Sequence, residues 1–161
     1  MNARGSIENC AVILLAEGFD EVEAVGILTA LRAAGVCVKS LGLTGGLITG
    51  RHGLLLMPDY ALFNLSDKFD VSAINAVILP GTKRCLTRLE TDPRVHRLLR
   101  QVIAQRGLVA TNAQGYGMLK RTLGQENATH RHRDRQIMLR ASGHQPIDVF
   151  AQTIVQRLEC L

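Results

Sequence analysis

Apolar runs and amphipathic stretches alternate along this chain of 161 residues. Residues 11–16 are continuously apolar, which is typical of a strand buried on both faces of a sheet. From Asp20 to Ala34 the apolar positions recur at helical spacing behind an acidic first turn, and Gly35 is placed to end the helix. Residues 36–43 predict a second strand, so the chain opens with a right-handed parallel β-α-β unit.

The rest of the chain repeats this rhythm. Gly-rich turns around two short apolar runs, at 47–48 and 54–57, predict a hairpin at a sheet edge. Further strands are predicted at 77–79, 108–111 and 137–139, and helices from Asp92 to Gly107, over 113–123 and from Pro146 onward. The pattern predicts an α/β fold, a three-layer sandwich of one domain over residues 1–161, with a mostly parallel sheet and helices on both faces.

Composition agrees with a globular protein, because 47% of the residues are hydrophobic and 20% are charged. No apolar run is long enough for a membrane span, and residues 1–10 do not resemble a signal peptide, so we expect a cytoplasmic protein without membrane contact. The four cysteines are scattered without a C-x-x-C pair, and we expect them to be reduced, with Cys10 and Cys37 as small buried apolar residues. We expect neither a metal nor a cofactor.

The formal net charge is +5, and much of the positive charge lies in the basic stretch Lys120–Arg140. Such a stretch permits contact with nucleic acid or acidic surfaces. The chain has no tryptophan, however, and only Tyr116 lies near this stretch, so nucleic acid is not the expected partner. His130 and His132 lie in it among alternating charges, which favours a solvated loop over a metal or phosphate site.

Polar residues follow three predicted strands, where function gathers in parallel sheets. The segments AVILLAEGFDEVE at 11–23, VILPG at 77–81 and GLVATNAQG at 107–115 resemble, in this order, the ThiJ/PfpI superfamily. The closing strand and helix at 135–158, and the pair Pro58-Asp59, are also similar. This branch of the class I glutamine-amidotransferase-like fold includes the Parkinson's-linked protein deglycase. The resemblance implies a flavodoxin-like sandwich.

The resemblance also shows where this chain departs from the family. The reactive cysteine of the family falls at Asn112, and the second glycine of its Pro-Gly-Gly motif, which helps to form the oxyanion hole, falls at Thr82. Glu23 falls where the family's buried glutamate meets the cysteine. The segment that carries a further histidine in the family is reduced here to Gly124–Gln136. These departures predict a vestigial site without catalytic residues.

Two details of this site are predicted. We expect Asn112 to occupy a strained turn at positive φ, because asparagine tolerates that conformation, and its amide to donate to a buried Glu23. Cys85 lies beside Lys83 and Arg84, whose charge would lower a thiol pKa, but no base accompanies it. A structural cysteine is favoured there over a nucleophile.

Two functions follow from the resemblance. The first is a non-catalytic homodimer with a binding, regulatory or chaperone-like role, in which the vestigial site is empty or holds a small molecule. The alternative is a hydrolase, deglycase or glyoxalase that uses an atypical nucleophile, either Cys85 or a water activated by Glu23. Because three features of the family site are altered, we favour the first.

Overall fold

The computed structural model describes residues 10–124, 137–140 and 145–161. The strands are β1 Cys10–Leu15, β2 Val38–Gly42, β3 Ile48–Thr49, β4 Leu55–Leu56, β5 Tyr60–Ala61, β6 Ile74–Leu79, β7 Leu108–Thr111 and β8 Ile137–Leu139. The main sheet has six strands in the spatial order β5-β2-β1-β6-β7-β8, and every neighbouring pair is parallel. A separate two-stranded antiparallel sheet pairs β3 with β4.

Helices cover the sheet in two groups. The first helix packs against the last one, whereas the third, fourth and fifth pack against one another. The predicted three-layer α/β sandwich is therefore confirmed. The helices are α1 Glu21–Ala33, α2 Leu65–Lys68, α3 Lys83–Glu90, α4 Pro93–Ala104, α5 Ala113–Leu123 and α6 Ile147–Leu158.

The centre of the sheet forms the hydrophobic core. All six residues of β1 are buried, as are the four of β7, because helices cover both faces of these strands. Ile13 of β1 lies beside Ile78 of β6, which in turn lies beside Ala110 of β7. The three strands run in the same direction, so their carboxyl ends lie at one edge of the sheet, as the sequence predicts.

The predicted hairpin exists, but it does not extend the main sheet. Its backbone is hydrogen-bonded to the turn after β1: Gly18 N–H donates to the Thr49 carbonyl and Arg51 N–H to the Phe19 carbonyl. Gly18 has a positive φ of 83°, a conformation that a glycine adopts without steric cost. The hairpin therefore covers the start of α1.

Three of these elements were missed by the sequence analysis: α2, β5 and α3. Helix α2 is a single turn of four residues. Strand β5 has only two residues, too few to show a periodic pattern. Helix α3 is short and carries three basic residues, yet Cys85, Leu86 and Leu89 form its buried side and Thr82 caps it. This spacing and the capping threonine are signals from which the helix could have been predicted.

The cysteine expectation was wrong for one pair. Cys10 and Cys37 form a disulfide, although they are separated by 27 residues in sequence. The parallel pairing of β1 with β2 explains this contact, because Ala11 lies opposite Val38 and the preceding cysteine is therefore brought beside Cys37. Cys85 and Cys160 are free thiols.

Helix α5 approaches the sheet closely at Gly115. A Cβ atom at this position would collide with the Thr111 hydroxyl, which donates to the Leu79 carbonyl. Gly117 lies in the same helix, but a Cβ there would meet only the Arg121 guanidinium, at 3.5 Å.

We predict that Gly115→Ala lowers the free energy of unfolding by about 1–3 kcal/mol, because the new methyl group overpacks the contact between helix and strand. Gly117→Ala, the matched control, should raise it by up to about 1 kcal/mol through the higher helix propensity of alanine. Urea denaturation of both variants measures the difference. Equal effects of the two substitutions would contradict the close approach.

Candidate functional site

Three chain segments meet at the carboxyl edge of the sheet. They are the turn 16–20 with the start of α1, residues 80–82 after β6, and Asn112 after β7. Hydrogen bonds connect all three segments, so the structure brings together the residues that the family resemblance selects.

Asn112 is the N-cap of α5. Its side-chain Oδ1 accepts a hydrogen bond from Gly115 N–H at 3.0 Å, which satisfies one of the free donors of the first turn. The backbone is extended, with φ −99° and ψ −177°. The predicted positive φ was therefore wrong: an N-cap residue takes an extended backbone, and this conformation turns the chain from strand to helix without strain.

The amide group of Asn112 connects the other two segments. Nδ2 donates to the Gly81 carbonyl at 2.9 Å and to Oε2 of Glu23 at 3.3 Å. The predicted hydrogen bond to Glu23 is thus confirmed. With both amide hydrogens and the amide oxygen engaged, Asn112 is held in a single orientation.

Glu23 lies in the first turn of α1 and is only 4% exposed. Burial raises the pKa of this carboxyl, although the nearby Arg140 guanidinium and the Asn112 amide act in the opposite direction. Arg140 Nη1 lies 3.8 Å from Oε1. The carboxyl is thus a group that can hold a proton closer to neutral pH than an exposed glutamate.

Arg140 is a site residue that the sequence analysis missed, since it was noted only as the end of the basic stretch. It follows β8 directly, and its N–H donates to the Thr111 carbonyl at 2.8 Å. Its guanidinium donates to the Gln145 carbonyl through Nε and Nη2. The available signal was its position after a strand parallel to β7, at the same edge as Asn112.

Thr82 has a capping role in this structure. Its hydroxyl accepts from Cys85 N–H at the start of α3 and donates to the Gly18 carbonyl at 2.6 Å. The side chain that replaces the family's glycine therefore joins α3 to the turn after β1.

Cys85 is completely buried. Burial raises the pKa of its thiol to about 11, and this outweighs the charge of Arg88. The thiol is therefore protonated at neutral pH, which is a poor state for a nucleophile. His130 and His132 lie outside the described residues.

We predict that the stability advantage of the protein over its Glu23→Gln variant decreases as the pH rises above about 4. A raised folded-state pKa means that the folded protein holds this proton more tightly than the unfolded chain does. The contribution of the protonated carboxyl is complete at pH values below the unfolded pKa and is lost as the pH rises through the folded value.

Urea denaturation between pH 4 and pH 8 measures this difference. Glu159→Gln, a substitution at an exposed glutamate at the end of α6, is the control and should show little change. A difference for Glu23→Gln that grows with pH would contradict the raised pKa.

The sequence pattern of the DJ-1/PfpI family matches residues 9–136, which is most of the chain. The Drosophila melanogaster protein dj-1beta is 34% identical over 102 residues, covering 62% of this chain and 52% of that protein. The Parkinson disease protein 7 homolog of Danio rerio is 28% identical over 106 residues, covering 65% and 54%. The chain thus spans about half the length of these curated relatives.

Solved structures agree in fold. Toxoplasma gondii DJ-1 superimposes with a TM-score of 0.74 at 15% identity and covers 94% of this chain and 95% of that one. The crystal structure of Drosophila melanogaster DJ-1beta gives a TM-score of 0.70 at 21% identity, with coverages of 94% and 90%. From its sequence match and from the convergence of three strand ends on one site, the chain belongs to the DJ-1/PfpI family.

Proposed function

We propose that this chain is a non-catalytic member of its family that acts by binding, as a homodimer with a regulatory or chaperone-like role. One observation carries this proposal: the position of the family's nucleophile holds a carboxamide whose hydrogen-bonding groups are all engaged by the fold. A carboxamide supplies no thiolate, and thiol chemistry needs one.

The alternative, an enzyme with a different nucleophile, has less support. Cys85 is its candidate thiol, and that thiol is buried and protonated at neutral pH. A water activated by Glu23 would need a carboxylate with free acceptor sites, whereas this carboxyl is buried and hydrogen-bonded to Asn112.

The vestigial site is suited to a small polar ligand. Asn112 and Arg140 are partly exposed, while Glu23 behind them is buried. The Arg140 guanidinium has N–H groups beyond those that bind the Gln145 carbonyl, and these can donate to a carboxylate group of such a ligand.

A homodimer is supported by exposed apolar side chains beside the site. Val22 in α1 is 68% exposed, and Leu55 and Met57 of the hairpin are 59% and 63% exposed. The hairpin lies against the start of α1, where His52 N–H donates to Glu21, and we propose that these side chains take part in one interface. Covering such side chains stabilises an assembly by removing apolar area from water.

The cytoplasmic location stays a prediction. No helix within the described ranges has the length and apolar content to cross a membrane. The disulfide between Cys10 and Cys37 is typical of an oxidising environment, so the compartment is best tested directly by localisation of a tagged chain.

We predict no turnover of methylglyoxal or a generic peptide above background, and a gain of thiol reactivity in Asn112→Cys. A thiol at residue 112 would lie at a helix N-terminus beside a carboxyl able to donate a proton, and both features favour the thiolate. The rate of alkylation by iodoacetamide as a function of pH measures this, in a Cys160→Ser background that removes the exposed free cysteine.

Gln114→Cys provides the matched control, because it lies in the same first turn but is exposed. The pH midpoint for Cys at position 112 should be lower than that for position 114. Turnover by the unaltered protein that Cys85→Ser abolishes would overturn the non-catalytic proposal.

We predict that the protein is a dimer at micromolar concentration and that Leu55→Glu with Met57→Glu makes it a monomer. Charged side chains in this apolar surface would have to be buried without partners in the dimer. Light scattering measures the mass. Leu161→Glu, at an exposed apolar residue of the chain end, is the control and should leave the dimer intact. A monomeric unaltered protein would contradict the assembly.

A further inference from the structure

The helices on one side of the sheet carry most of the basic side chains that the structure describes. Helices α3, α4 and α5 pack together and, with the turn after α4, present nine exposed cationic residues. We call this surface the basic layer. Its cationic residues are Lys83, Arg84, Arg88, Arg94, Arg97, Arg100, Arg106, Lys120 and Arg121.

Few acidic side chains balance this charge. The same segments contain two carboxylates, Glu90 and Asp92, which pair with Arg121 and Arg94. The basic layer therefore has an excess of seven positive charges, more than the +5 of the whole chain. The helices α1 and α6, which form the other group, contain three acidic residues and two arginines.

The arginines of α4 point away from the core. At 100° per residue, Arg94 and Arg100 lie within about 60° of Arg97 on the helix surface. The buried residues lie on the opposite side of the helix and are Val95, Leu98, Leu99, Val102 and Ile103. The three side chains thus leave α4 on the side away from the core, and the Arg100 guanidinium also donates to the Thr122 carbonyl of α5.

The composition of the basic layer indicates what kind of partner it fits. The large apolar side chains that are exposed in the described part of the chain lie in other elements: Val22, Leu47, Leu54, Leu55, Met57, Phe63, Val149 and Leu161. Protein interfaces and membrane-binding helices depend on such apolar anchors. A surface of arginines without them suits phosphate groups, which the planar guanidinium binds through paired hydrogen bonds.

We infer that the basic layer binds the phosphate backbone of a nucleic-acid duplex. A duplex is favoured over a single strand because single strands stack their bases on aromatic rings. The aromatic residue of α5, Tyr116, is covered by the Lys120 ammonium, 4.5 Å from its ring centre. Binding through the backbone requires no aromatic platform and no base contact.

This inference differs from the expectation drawn from the sequence. The sequence shows one linear basic stretch, Lys120–Arg140, with only Tyr116 near it. The fold instead collects cations from three separate segments on one surface. The lack of aromatic residues argues against base stacking but not against contact with a duplex backbone.

The dimensions of the layer are compatible with this partner. Helix α4 has 12 residues and is therefore about 18 Å long. A duplex carries one charge per ~1.7 Å of its axis, so a segment of this length presents about ten phosphates, of which only those on the near side reach the protein. The nine cations are enough to contact the phosphates on the near side of the duplex.

The test compares two charge-reversed variants of equal net charge. Arg88→Glu with Arg97→Glu alters the basic layer, and Lys39→Glu with Lys68→Glu alters the same number of cations in β2 and α2. Fluorescence anisotropy measures binding to labelled DNA and RNA duplexes of about 24 base pairs, from about 50 to 200 mM salt. Circular dichroism checks that both variants are folded.

We expect the basic-layer variant to bind at least about tenfold more weakly than the unaltered protein, with a salt dependence of log K that is shallower by about 2. The control variant should keep most of the affinity. Preference between the DNA and RNA arms then identifies which duplex is the ligand.

Three results would overturn the inference. One is equal loss of affinity in both variants, which would mean that net charge alone attracts the duplex. Another is tighter binding to a single-stranded oligonucleotide of the same length. The third is binding to polyglutamate or to phosphatidylserine vesicles but not to either duplex.

Discussion

The parallel alignment of three buried strands is the constraint on which the other features depend. Strands β1, β6 and β7 run in the same direction within the buried core, so their carboxyl ends share one edge. Each following segment must leave the sheet there, and polar groups at that edge must find partners among themselves. The contacts of Glu23, Gly81 and Asn112 are a consequence of this geometry.

Asn112 shows what a carboxamide contributes at such an edge. One carboxamide begins α5, joins that helix to the segment after β6, and provides a donor for a buried carboxyl. A thiol could not fill all three roles, because it has a single weak donor and a weak acceptor. An asparagine at this position therefore connects three parts of the fold that a cysteine would leave less well connected.

The sequence predicted the sheet and most helices because apolar runs mark the central strands directly. Helix α5, for example, starts and ends where expected, since β7 precedes it and Gly124 follows. The conformation of Asn112 was not predictable from the family resemblance, because the cap contact with Gly115 competes with a left-handed turn. Arg140 was missed because its role depends on the pairing of β8 with β7, a contact between distant segments.

The disulfide between Cys10 and Cys37 has a consequence for how stable the molecule is in different compartments. It closes a covalent ring that contains β1 and α1, the helix that carries Glu23, and that ends just before β2. In the chain-entropy description, a ring of this size lowers the conformational entropy of the unfolded chain, which stabilises the folded state by about 3–4 kcal/mol. The same polypeptide would then have two folding free energies, one for each oxidation state. Its resistance to proteolysis would then depend on whether its surroundings keep the disulfide oxidised or reduce it, whether or not a ligand is bound.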